Sequence, residues 1–381
     1  MEYTLVDFFY DDIHLKIPEP ESIKNAYNKA LAENKNIPFP YWSKLWPASE
    51  ALAQFITQNP NYFYNKKVAE LGAGLALPSF VAAPFASSIE ASDYVPDAIE
   101  LMKADGSTVV WDEKNPEFYG AVVNIGALGI VTRMALAIQP TYQVTQEVYE
   151  NLPMNALEKH FDDIYSAGYS VSMFTHWLDR TINQVWVKKK VGEQYPTTHF
   201  HGATPAKTNL HPIKVNSPVN CTDQMGVPGP WYERLPHFKM GFTPSNGAEL
   251  QTEFFIPRKY AYQAIMAVES LHEVISPVLF VTEIRSIAAD AFWLSPAYKQ
   301  DVIAIHFTWK QEVDKVMQVI PQVEAKLKPF GAMPHWGKIF TMPAAELQSR
   351  YPKFKDFRAL AKKMDPKGVW KNEFLERNLY T

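Results

Sequence analysis

Two short stretches contain the side chains whose types and spacing suit chemistry on a polar small molecule. In TEIR (282–285) a two-residue strand period sends Glu283 and Arg285 to one side and Ile284 to the other. In IAIHFTW (303–309) the same period puts His306 and Thr308 opposite Ile303, Ile305, Phe307 and Trp309. If the two strands are neighbours and the apolar residues face helices, four polar side chains share the outer face. Such a face suits a polyhydroxylated ligand; a solvated sheet face carrying a Glu-Arg pair is the plainer alternative. A third stretch, AMPHWGKIF, sets Lys338 between Trp336 and Phe340, where it either lines a pocket or snorkels to the surface.

The elements needed to place these residues can be read around them. ELQTEFFIP is strand-like, and the helix opened by Pro257 carries Ala264, Val268, Leu271 and Ile275. Strands VLFVTEIRS and DVIAIHFTW follow, then a helix marked by Val313, Val316, Met317, Ile320, Val323 and Leu327. This β-α-β-β-α order describes a split α+β sheet with helices on one face. Upstream, GSTVVW reads as a strand, NPEFYGAVVN as a short helix, and Gly126 and Gly129 frame a turn into a strand from Ile130 to Ile138. Small residues there serve packing or admit a cofactor.

The first 104 residues have a different grammar. Strand Val68–Leu71 leads into Gly72 and Gly74, a helix is expected from Pro78, and a second strand, SSIEASDY, ends at Asp93. Glycines before a helix N-terminus allow close approach of a ligand, and an acidic side chain after the next strand can hold ribose hydroxyls. A nicotinamide fingerprint requires glycine where Leu77 stands. The stretch from Ala98, with Ile99 and Met102 three apart, reads as an amphipathic helix meeting a turn at Asp105-Gly106.

Composition sets outer limits. The 381 residues are 47% hydrophobic and 20% charged, with a net charge of -4, which is globular and gives no footprint for a polyanion. We therefore expect no nucleic-acid partner, no membrane span and, since MEYTLVDFFYDD is unlike a signal peptide, a cytoplasmic chain. The single cysteine, Cys221, is expected to be structural, and no metal site is expected.

The strings DGST, FYGAVVNIGALGIVT, SPVNCTDQMGVPGPWYERLPHFKMGFTPS, ELQTEFFIP, TEIRSIAADAFWLSP, HFTW, HWGKIF and DPKGVWKNEFL, in that order, resemble the C-terminal part of FAD-dependent alditol (xylitol) oxidases. These belong to the vanillyl-alcohol-oxidase group, with the gulonolactone and arabinonolactone oxidases. The resemblance runs from about Asp105 to the C-terminus. It implies Arg285 and Lys338 as catalytic residues, and Glu283, His306 and Thr308 as substrate-binding residues. It also implies Gly120, Gly126, Leu128, Gly129 and Ile130 along FAD. The implied reaction moves a hydride from a carbinol carbon of a polyol or sugar lactone to the flavin, and oxygen then yields hydrogen peroxide. Loss of that hydride requires loss of the hydroxyl proton, and cations beside the oxygen stabilise the developing charge.

ELGAGLALPS, with LWPAS before it and ASDYVPDAIELMK after it, is instead similar to the S-adenosylmethionine-binding start of a Rossmann-like methyltransferase of the protein-lysine or nicotinamide N-methyltransferase type. That resemblance implies Glu70, Gly72, Gly74 and Asp93 around a vestigial S-adenosylmethionine site, although Ala76 replaces a third glycine. The expected fold is thus an α+β / α/β chimaera. Residues 1–104 form a truncated methyltransferase-like half, 105–140 a remnant of an FAD-binding domain, and 141–381 an oxidase substrate-binding domain returning to the FAD site. No counterpart of the oxidases' flavin-linking N-terminal half is recognised in residues 1–104, so S-adenosylmethionine-dependent methyl transfer and a non-functional fusion stand as alternatives.

Overall fold

The computed structural model describes residues 3–7, 14–18, 55–56, 58–62, 67–71, 88–92, 96–136, 141–196, 200–239 and 249–381. The chain divides into two compact units. One comprises Met1–Ile138 with Arg358–Asn372, the other Gln139–Phe357 with Glu373–Thr381.

In the first unit, β1 (Tyr3–Asp7) and β2 (His14–Pro18) pair antiparallel, and β3 (Lys67–Leu71) and β4 (Ser88–Ser92) pair in parallel. The parallel pair matches the two strands expected there and requires a crossover. Glu70 lies on β3; Gly72, Gly74, the helix from Pro78 and Asp93 fall outside the described residues.

The helix expected from Ala98 is instead a strand. β5 (Pro96–Met102) is the centre of a three-stranded antiparallel sheet, between β6 (Thr108–Asp112) and β7 (Ile130–Leu136). In so short a stretch Ile99 and Met102 at i,i+3 cannot be told from Ile99 and Leu101 at i,i+2. The turn decides between them. Gly106, at φ +80°, lets Lys103 N–H donate to Ser107 O at 2.8 Å, so the chain doubles back and pairs Met102 with Thr108. This sheet therefore crosses position 104, joining residues read as methyltransferase-like to residues read as oxidase-like.

The second unit is built on a nine-stranded sheet. Its strands are β8 (Gln143–Pro153), β9 (Ser170–Thr175), β10 (Thr181–Lys190), β11 (Thr204–Pro205), β12 (Gly229–Pro230), β13 (Leu250–Pro257), β14 (Leu279–Ile287), β15 (Val302–Trp309) and β16 (Met333–Pro334). The order is β11-β8-β10-β9-β14-β15-β13-β16, with β12 also on β8, and every pairing is antiparallel. Among the expected elements, β13, the helix Ala261–Glu269, β14, β15 and the helix Val313–Leu327 appear in the β-α-β-β-α order.

Strand alternation divides this sheet into two faces. Phe254, Ile256, Ile284, Ile303, Ile305, Phe307 and Trp309 are buried against Ala264, Ile265 and Val268 of one helix and Val316, Ile320 and Val323 of the other. Each such side chain contributes roughly 1.5–3 kcal/mol through removal of apolar area from water. The opposite face carries the polar residues, and the segment 206–239 lies over part of it. Ala206, Ile213 and Cys221 form a small apolar cluster with Val148, Phe174 and Trp186 of the sheet. Gln184 Nε2 donates to His211 O at 2.9 Å and Gln146 Nε2 to Thr222 O at 3.2 Å, fastening this roof through its backbone.

Candidate active site

β15 lies between β14 and β13, and its His306 is in register with Glu283 on one side and Glu253 on the other. Three ionisable side chains therefore stand abreast on the polar face. One residue pair further along β14 and β15, Arg285 is opposite Ala304, whose small side chain leaves the guanidinium room to reach sideways.

It reaches Glu253. Arg285 Nη2 donates to Glu253 Oε1 at 2.6 Å, and its Nη1 lies 3.7 Å from Glu283 Oε2. Lys338 Nζ donates to the other oxygen of the same carboxylate, Glu253 Oε2, at 2.7 Å. The lysine arrives on a loop that docks along β13. His335 N–H donates to Glu253 O at 2.9 Å and Ile339 N–H to Gln251 O at 3.0 Å, while Trp336 Nε1 donates to Leu294 O at 2.9 Å. Lys338 is only 17% exposed, which disposes of the snorkelling alternative. Glu283, Arg285, His306 and Thr308 thus share one face, as alternation requires, and Lys338 joins them through Glu253.

The electrostatics follow from burial. Burial alone would raise the Glu253 carboxyl, but Arg285 and then Lys338 hold it below the usual range. Glu283 is likewise opposed by burial, then held well below that range by His237, which donates from Nε2 at 3.0 Å, and by Arg285. Burial, then the charge of Lys338, pushes His306 down to about 4, so the imidazole is neutral at pH 7. Its Nε2 is buried with no hydrogen-bond partner among the described residues. Leaving such an atom unsatisfied costs about 1–3 kcal/mol, which a ligand hydroxyl would recover.

A cavity of about 160 Å³ opens on this face, lined by Gln251, Glu283, His306 and Thr308 on the sheet side and by Ile213, His237 and Phe238 from the roof. Arg285 and Lys338 are not part of its lining; they meet at Glu253, the register partner of His306.

The sequence reading did not pick out Glu253, although the period applied to TEIR places Gln251 and Glu253 opposite Thr252 and Phe254 in ELQTEFFIP. Cys221 is buried and burial pushes its thiol up to about 12, in keeping with a structural role.

The residues expected along FAD lie in the first unit. Gly126, at φ +77°, is an exposed turn glycine with open space where a side chain would stand, and its N–H donates to Asn124 Oδ1 at 2.8 Å. Gly129, at φ +114°, has no such space: a Cβ would stand 2.2 Å from Met102 O, so close packing against β5 accounts for this glycine. Gly120 and Leu128 are buried, and Ile130 opens β7. Of the two glycines framing this turn, only Gly126 leaves open space beside its backbone.

Among the described residues His160, Asp163 and His201 bring possible metal-ligand atoms within 4.8 Å of one another. Their two imidazoles stack at 3.7 Å and 8°, which sends the ring lone pairs side by side instead of to a common point. No described helix is long and apolar enough to cross a membrane.

Comparison with known proteins bears on residues 246–378, which match the family model of D-arabinono-1,4-lactone oxidase. The chain is 45% identical over 277 residues to an alditol oxidase of a Streptomyces species, covering 73% of this chain and 66% of that enzyme. It is 24% identical over 309 residues to an L-gulono-1,4-lactone dehydrogenase of Mycobacterium tuberculosis, covering 74% and 68%. The chain thus spans about two thirds of the length of these relatives. A solved VAO-type flavoprotein of Myceliophthora thermophila overlays with a TM-score of 0.49 at 13% identity, over 71% of this chain and 55% of that one. None of these relatives is a methyltransferase, and they lend no support to the S-adenosylmethionine or fusion readings.

Proposed function

We propose that the second unit binds a polyol or aldonolactone and that the chain takes part in its FAD-dependent oxidation, alcohol to carbonyl, with oxygen reduced to hydrogen peroxide. The match of residues 246–378 to a sugar-lactone oxidase family and the 45% identity to an alditol oxidase support this reading. The observation that carries it is the pair of cations, Arg285 and Lys338, sharing the buried Glu253 carboxylate beside an unsatisfied His306.

The chemistry that FAD supplies is acceptance of the hydride from the carbinol carbon and delivery of the electrons to oxygen. The protein's part is to orient the alcohol and ease loss of its proton. Glu283, held ionised, accepts a hydrogen bond from a substrate hydroxyl. The neutral His306 places its buried Nε2 at a second hydroxyl, and Thr308 serves a third. Arg285 and Lys338 meet at Glu253 beside His306, outside the cavity lining, and the positive charge they hold there favours the oxygen as its proton passes to solvent, because fixed cations in a partly dehydrated site act more strongly than ions in water. Gly126, with open space where a side chain would stand, would let FAD approach the turn before β7.

The test is anaerobic addition of xylitol to chain titrated with FAD, alone and with the flavin-binding half of a related oxidase. Bleaching of the flavin's visible absorbance, followed by peroxide on admitting air, is the expected result. Lys338→Met should lower the bleaching rate about a hundredfold while circular dichroism is unchanged. Flavin that binds and fails to bleach, or full activity in Lys338→Met, overturns the proposal.

A further inference from the structure

Behind Glu283, away from Arg285, two residues outside the implied oxidase site stand end to end. Lys188 on β10 is fully buried, yet its Nζ has three neighbours: Leu235 O, Pro236 O at 3.1 Å and His237 Nδ1 at 3.2 Å. Burial pushes Lys188 down to about 7 against the pull of Glu283; as an ammonium it brings three donors to these three acceptors, and as a neutral amine it still donates to His237 Nδ1.

His237 joins this lysine to the cavity. Its Nε2 lies 3.0 Å from Glu283 Oε1 and 3.3 Å from Ser172 Oγ. Phe174 and Trp186 meet the ring edge-on, each with centroids 5.3 Å away, and limit its rotation. A neutral imidazole carries one N–H, and an ionised carboxylate can only accept. The hydrogen must therefore be on Nε2, facing Glu283, with the Nδ1 lone pair facing Lys188. With Lys188 uncharged and Nδ1 protonated, the imidazole would be a cation inside an aromatic clamp beside Arg285; burial and then the charge of Lys188 push His237 below its ordinary value and oppose that state.

We infer that Lys188 and His237 form a buried hydrogen-bond relay that fixes the orientation of the Glu283 carboxylate, leaving one oxygen directed at the substrate hydroxyl. Both are positioning residues, and His237 additionally walls the cavity. The inference about Glu283 and substrate rests on the polyol reading above, whereas the relay itself does not. Lys188 draws the roof's carbonyls at Leu235 and Pro236 down to the sheet, so the segment that closes the cavity and the residue that orients its anchor are fastened at one point.

Two measurements test this. In the full chain labelled with ¹⁵N-histidine, with His237 assigned by its absence in His237→Gln, long-range ¹H–¹⁵N correlation should show the Nε2–H tautomer at pH 7. Lys188→Met should weaken that preference and Lys188→Arg should keep it. An Nδ1–H tautomer or an imidazolium in the unmodified chain overturns the relay, and this readout needs no variant to fold and no enzyme activity. In the flavin-loaded enzyme, loss of a hydrogen bond to a charged group should raise KM for xylitol about ten- to hundredfold in His237→Phe, with kcat changed by no more than about threefold. His237→Gln, whose amide reaches the same position as a donor, should restore most of the loss. An unmoved KM in His237→Phe overturns positioning while leaving the relay. Flavin that binds the unmodified chain, with the flavin-binding half supplied, and is bleached by neither polyol nor aldonolactone overturns the polyol reading, and with it the role at substrate, while the tautomer result stands.

Discussion

Replacing Glu253 with glutamine tests the central charge arrangement, because the shape is kept and the charge is lost. The carboxylate is 1% exposed and lies 2.6 Å from Arg285 and 2.7 Å from Lys338. Removing one member of a buried ion pair costs about 3–5 kcal/mol, since the other charge stays buried without compensation. The two cations do not suffer equally. Arg285 is 38% exposed and keeps Glu283 at 3.7 Å, so solvent and that second carboxylate hold its loss below about 1 kcal/mol. Lys338 is 17% exposed and Glu253 is its carboxylate partner among the described residues, so most of the cost falls there. We expect Glu253→Gln to lose about 3 kcal/mol in all. Urea unfolding reports it through Trp177, Trp186 and Trp309, which are buried in this unit. With a slope of about 3 kcal/mol per molar urea the midpoint falls by about 1 M. In the double variant with Lys338→Met the stranded ammonium is gone, and the two changes should fall short of additivity by about 1.5 kcal/mol or more. A loss under about 1 kcal/mol, or strict additivity, would refute the assignment of Glu253 as the residue that holds the two cations together.

Three further outcomes follow from the site's titration and burial. The His306 ring proton should stay flat from pH 8 to about pH 5 and titrate near 4; a midpoint near 6.5 would mean the ring is solvated. Because the unfolded chain binds the proton first between those two values, His306 makes stability rise with pH across that window, and His306→Gln should flatten the rise. Glu283, depressed in the folded state, contributes stability present above its ordinary value of 4.5 and lost on further acidification, so Glu283→Gln should lessen the acid sensitivity below that pH. Cys221 should resist a thiol reagent at pH 8 until urea unfolds the chain; rapid modification of the native protein would contradict its buried, protonated state.

Where a strand has one apolar face, its side-chain assignment was legible in the sequence, as in TEIR and IAIHFTW, because a single register satisfies burial. Glu253 obeys the same period but sits in a run, TEFF, whose aromatic residues fall on both faces and blur the alternation. Lys188 could not be found this way. It is the first of three consecutive lysines, which together read as a solvated charge run, and only the pairing of β10 with β8 and β9 sends it inward. His237 lies outside the named strands in LPHFKM, where no period applies. Residues 98–102 were misread because helix and strand templates match equally over five residues, and the deciding information lay in their partners at 108–112 and 130–136.

The roof is latched largely through its main chain, with His237 and the Thr222 hydroxyl the side chains that take part. Gln146, Gln184 and Lys188 reach from the sheet to main-chain oxygens at Thr222, His211, Leu235 and Pro236, and a carbonyl is offered by any amino acid. The fastening is encoded in one stretch of chain and the cavity wall at Ile213 and Phe238 in another. Except at His237, which serves both, heritable variation can therefore resculpt the wall without disturbing the latch, and without touching the charges on β13, β14 and β15. In such an architecture ligand range and reaction chemistry diversify on separate schedules, and a mutant library confined to residues 209–215 samples the first alone.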